Sequence, residues 1–127
     1  MKLRIAANSI RLRLLRTEVD TLRTAGRIDE TIYFNSTNHE RLTYALAIER
    51  GQSEVQLHYE PSAIEVVLPE ALAISWSGSD QVGIYATIDL GEHGILDLVV
   101  EKDFACLDRT DADNLGTFPN PAAGASC

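Results

Sequence analysis

The sequence predicts an α+β fold in which a β-β-α-β-β unit occurs twice. About eight mainly antiparallel strands and two short helices would close into one sheet or barrel-like domain. Three features carry this reading. Short runs alternate apolar and polar residues with period two, the mark of half-buried strands. Two segments of helical length are bounded by start and stop residues. Apolar positions also stay in phase when residue n is laid over residue n+54.

Taken in order, "KLRI" and "SIRLRLL" alternate, and their apolar parity changes between Ile5 and Ile10, so a turn or bulge is expected at Ala6–Ser9. Thr17 is placed to cap the helix "EVDTLRTAG", with Glu18 and Asp20 favourable in its first turn and Gly26 as its stop. Strands follow at about Glu30–Phe34 and Leu42–Ile48, separated by the polar loop "NSTNHE". The second half repeats the order. "VQLHY", the breaker "EPSA" and "IEVVL" make a hairpin, and Pro69 suits the first position of a helix that ends at Gly78. Val82–Ile88 and Ile95–Lys102 then read as strands around "DLGEHG".

The phase agreement covers Leu3 with Leu57, Ile10 with Ile64, Leu14 with Leu68, Leu22 with Trp76, Ile28 with Val82 and Leu42 with Leu96. Residues 1–108 are therefore read as a single domain of two similar halves, 1–54 and 55–108. Each half alone is too small to bury a sufficient core. Residues 109–127 lose the pattern and form a polar, acidic tail, ordered at most by Phe118 docking on the body.

Of the 127 residues, 45% are hydrophobic and 24% charged, the balance of an ordinary globular protein. No apolar run approaches the roughly 18 residues of a membrane span. Lys and Arg interrupt every apolar run of "MKLRIAANSIRLRLLR", so no secretory leader is read there. Two cysteines are too few for a disulfide framework, and a cytoplasmic location without membrane contact is expected. The net charge of −8 is unevenly spread. Residues 1–54 carry nine Lys and Arg against seven acids, whereas residues 55–127 carry two against twelve. Overall acidity argues against nucleic-acid binding, which needs a basic face to displace counterions.

Two places hold candidate chemistry. If the apolar residues of the first hairpin face a core, Lys2, Arg4, Arg11 and Arg13 share the opposite face. There they either hold a phosphate or carboxylate or pair across strands with acids of the second half. The second place is "VVEKDFACLDR". A lysine close to a thiol lowers its pKa, so Lys102, Asp103 and Cys106 are the residues a small enzyme or redox-responsive protein would use. The competing reading is a strand end whose cysteine is packed inert, with Phe104 and Leu107 as anchors. His39 and His93 are equivalent under the 54-residue offset, but no zinc or calcium motif spacing accompanies them, so no metal and no cofactor are assigned.

The segments "MKLRIAANSIRLRLLRTEV", "SDQVGI", "VEKDFACL" and "FPNP" resemble a family of small uncharacterised bacterial proteins. The resemblance implies a single bacterial cytoplasmic domain and brings no activity or catalytic residues. The leading expectation is a non-enzymatic binding or interaction module, with a protein partner or self-association between its oppositely charged regions. The alternatives are the Cys106 enzyme and an anion-ligand module using the Arg11 and Arg13 face.

Overall fold

The computed structural model describes residues 1–104 and 116–119. Among these residues are eight strands and two α-helices, β1 (Lys2–Ala6), β2 (Ser9–Leu14), α1 (Arg16–Ala25), β3 (Arg27–Tyr33), β4 (Arg41–Glu49), β5 (Gln56–Glu60), β6 (Ala63–Pro69), α2 (Glu70–Ser77), β7 (Gly83–Asp89) and β8 (Ile95–Lys102), with a single 3-10 turn at Gly91–His93 between the last two strands. The α+β class and the element order agree with the sequence reading. The strands form two four-stranded sheets, β1-β2-β8-β7 and β3-β4-β6-β5, where the alternation alone suggested one. Alternation reports which residues are half buried, and it carries no information about which strands pair.

Each sheet joins two antiparallel hairpins through a parallel pair at its centre, β2 with β8 in the first and β4 with β6 in the second. The registers repeat at the 54-residue offset. Ser9 pairs with Asp97 as Ala63 pairs with Thr43, and Lys2 pairs with Arg13 as Gln56 pairs with Val67. The offset lengthens at one place. Ile28 is opposite Leu46 and Ile84 is opposite Val100, so Ile28 corresponds to Ile84 and not to Val82. This two-residue insertion is even, so the pleat phase survives it.

Two compact units result, Met1–Val19 with the described residues from Val82 onward, and Asp20–Gln81. They cut across the halves of the repeat, because each half contributes one hairpin to each sheet. In the first unit one sheet face is apolar, with Leu12, Leu14, Leu98 and Val100 at most 2% exposed. Its other face is polar. In the second unit the central strands are buried on both faces, with Ala45 and Val67 on one and Leu46, Val66 and Leu68 on the other. That explains the unbroken apolar run "VVL" of β6, since a central strand covered on both sides has no need to alternate.

Local chemistry sets the element ends. The β1–β2 hairpin turns on Ala7 and Asn8, with Ala7 in the left-handed region at φ 48° and Ser9 Oγ bonded to Ala6 O at 2.7 Å. Helix α1 begins one residue before the expected Thr17 cap. The Glu18 carboxylate accepts the Leu15 N–H at 2.9 Å, the returning half of a capping box. Gly26 ends the helix at φ 77°, its N–H bonded to Leu22 O at 2.8 Å. Pro69 is the last residue of β6 and the N-cap of α2 rather than its first helical residue.

Trp76 on α2 has no exposed surface and is the largest fully buried side chain. Trp76→Ala should cost about 3–5 kcal/mol through lost burial and the cavity left behind. Urea unfolding followed by circular dichroism measures that loss, and Ile74→Ala, at 61% exposure, serves as the mild control.

Candidate functional site

The exposed face of the first sheet places the four cations of the sequence reading together. Cross-strand register arranges it in rows. Lys2, Arg13, Glu101 and Gly83 form the first row, Arg4, Arg11, Val99 and Tyr85 the second, and Ala6, Ser9, Asp97 and Thr87 the third. Strands lie about 4.8 Å apart, so a row spans roughly 14 Å. Ser9, Arg11, Tyr85, Thr87, Asp97 and Val99 line an open depression of about 560 Å3 across the second and third rows.

Neutralisation of this face is uneven. Glu101, largely buried at 13% side-chain exposure, accepts Arg13 at 2.8 Å through both Nε and Nη2, whereas the Arg11 Nη1 reaches the same oxygen only at 3.5 Å. Lys2 Nζ lies 3.1 Å from Asp103 Oδ2. These are the cross-strand pairs with second-half acids that the sequence allowed. Arg4 is exposed and has no ion pair among the described residues. It sits directly opposite Arg11 in the ladder, and like charges in that position repel.

The end of β8 is a different environment. Lys102 is 5% and Asp103 1% exposed, the only charged residues among the buried ones described. The Asp103 N–H donates to Leu14 O at 2.8 Å, and its carbonyl accepts the Phe118 N–H at 2.6 Å. The Phe118 ring takes the Lys102 ammonium at 5.3 Å and the Arg16 guanidinium at 5.5 Å from its centroid. Phe104 meets it edge to face at 5.7 Å. Arg16 N–H also donates to Gly116 O at 2.8 Å. Lys102 and Asp103 thus bind the returning chain, Asp103 through its backbone and Lys102 through a cation–π contact. Cys106 lies outside the described residues.

Sequence reasoning missed a cluster on the second sheet. Arg27 on β3 pairs with Glu65 on β6 and with Asp29 at 3.3 Å, while His58 Nδ1 lies 3.2 Å from Glu65 and its Nε2 3.2 Å from Gln56. A small pocket of about 190 Å3 opens beside these residues. The Arg27 hydrogen bond holds the Glu65 carboxyl below its ordinary range. The same bond holds the Arg27 guanidinium above its own. The repeat carried the signal, because Glu65 stands 54 residues after Arg11 and reverses its charge.

Among the described residues no three His, Cys, Asp or Glu side chains gather in a way that would hold a metal ion. None of their helices is long and apolar enough to cross a membrane. Compared with known protein families, residues 1–122 match a family of unknown function (DUF7009). No curated protein and no solved structure matches the chain.

Two outcomes follow from these contacts. Phe118→Ala removes two cation–π contacts and an aromatic pair and should cost about 1–3 kcal/mol. Urea unfolding followed by circular dichroism should show the correspondingly lower midpoint. For Glu65, the folded carboxyl titrates below its unfolded value. Its ion pair is therefore fully stabilising above about pH 5 and is lost as pH falls through the lowered folded value. Both partners are partly solvent-exposed, so the contribution stays at about 0.2–1 kcal/mol. Urea midpoints of the native chain and Glu65→Gln should differ at neutral pH and converge as pH falls through the lowered folded value.

Proposed function

Since the chain belongs to this family of unknown function, we propose from its own side chains that it is a non-enzymatic anion-binding module of the bacterial cytoplasm, its site the exposed face of the first sheet. The observation that carries the reading is the Arg4–Arg11 pair. Two guanidinium groups stand directly opposite on adjacent strands, and Glu101, 3.5 Å from Arg11, is held more closely by Arg13 at 2.8 Å. A doubly charged oxyanion between them would turn a repulsive pair into a forked set of charge-assisted hydrogen bonds. The site sits on regular strands, so little order need be gained on binding.

The sequence named Arg11 with Arg13 as the anion pair, whereas the contacts favour Arg4 with Arg11. Arg13 serves instead to hold Glu101. The enzyme reading gains no support from Lys102 and Asp103, whose surfaces are closed to solvent and whose contacts tie down residues 116–119.

Inorganic phosphate or pyrophosphate, compared with chloride at equal ionic strength, should raise the melting temperature. At about tenfold over Kd the stabilisation is about 1.4 kcal/mol, or roughly 4 °C for a chain of this size. Arg4→Ala with Arg11→Ala should abolish the rise, and Arg13→Ala, which releases Glu101 to Arg11, should reduce it without abolishing it. An equal rise in chloride, or one that survives the double substitution, would overturn the reading.

A further inference from the structure

We propose that the anion taken by this face is an aromatic phosphate monoester with a hydroxylated spacer, of the nucleoside monophosphate class. The inference rests on the anion reading above and extends it along the same row of side chains. From Arg4 and Arg11 the row continues across β8 and β7 through Val99 to Tyr85. Arg11 and Tyr85 are two strand spacings apart, about 10 Å. A phosphate on the guanidinium pair therefore leaves a ring attached through a sugar-sized spacer above Val99 and Tyr85.

Tyr85 is 67% exposed, which is costly for a ring with no role at the surface. Its position depends on the glycine two residues before it. A Cβ built on Gly83 would lie 3.2 Å from the Tyr85 Cζ, 3.2 Å from the Glu101 Cβ and 3.0 Å from the Val100 carbonyl oxygen. The tip of the ring thus reaches over the bare backbone of Gly83, and the exposed ring offers a surface for stacking. Base–aromatic stacking uses such a platform without regard to base identity.

The third row supplies the spacer's partners. Asp97 is exposed, and its carboxylate has no hydrogen bond or ion pair among the described residues. It lies between Ser9 and Thr87 in the ladder and lines the same depression. A free carboxylate there accepts hydrogen bonds from a diol and repels a second phosphate, so it orients the ligand with its anionic end toward Arg4.

Calorimetric titration with adenosine 5′-monophosphate, ribose 5-phosphate and inorganic phosphate tests the inference. Adenosine monophosphate should bind about tenfold or more tighter than ribose 5-phosphate, the share that stacking contributes. Tyr85→Ala, at an exposed position, should bring the two to equal affinity and leave inorganic phosphate unchanged. Asp97→Asn should weaken ribose 5-phosphate relative to inorganic phosphate. If inorganic phosphate binds and the nucleotide binds no tighter, the aromatic inference fails while the anion reading stands. A nucleotide advantage that persists in Tyr85→Ala also overturns it. If none of the three binds, both fall together.

Discussion

The parallel ladder between β2 and β8 is the constraint on which the first unit depends. These strands are separated by most of the chain, and each arrives as the inner member of a local hairpin. Their pairing buries Leu12, Leu14, Leu98 and Val100 on one face and necessarily sets Arg11, Arg13, Val99 and Glu101 on the other. A slip of one residue would exchange the two sets and place guanidinium groups in the apolar layer. The register of this ladder therefore specifies the charged face as firmly as it specifies the core. The ladder of β4 with β6 performs the same operation in the second unit.

Comparing the two sheets under the repeat separates what the fold requires from what the first sheet adds. Arg13 corresponds to Val67, Glu101 to Ala47 and Val99 to Ala45, and Val67 and Ala45 are buried. The same backbone thus accommodates an apolar layer at positions where the first sheet displays ions. The cations are not needed to form a sheet of this topology. Their cost, two like charges opposed at Arg4 and Arg11, is offset only in part by Glu101 and Asp103. Surface ion pairs contribute little to stability in any case. The proposed anion site would give that arrangement a physical reason.

The end of β8 shows charge used for the opposite purpose. Lys102 closes the ladder opposite Leu14 and Asp103 follows it, and the two bind the returning chain at Phe118 through an aromatic face and a backbone amide. Buried ionic groups are tolerated only when their partners are in place. Here the partners come from Lys2 at the start of the chain and from Phe118 near its far end. This strand end is thereby a junction of distant segments.

The sequence by itself determined the element order, the two halves and the grouping of Lys2, Arg4, Arg11 and Arg13 on one face. These follow from local periodicity, which is a property of neighbouring residues. It also contained the docking of Phe118, as an isolated aromatic residue in a polar stretch. Tertiary structure alone decided which hairpins share a sheet, and so which acid each cation meets. Glu101 lies 88 residues from Arg13, and nothing local relates them. The same holds for the Arg27–Glu65–His58 cluster, whose members come from three strands, and for Tyr85, brought into the row of Arg4 and Arg11 only by two successive ladders. Pairing between distant strands is selected by the total apolar surface buried and the backbone bonds completed. That sum runs over the whole chain, and no short stretch of sequence contains it.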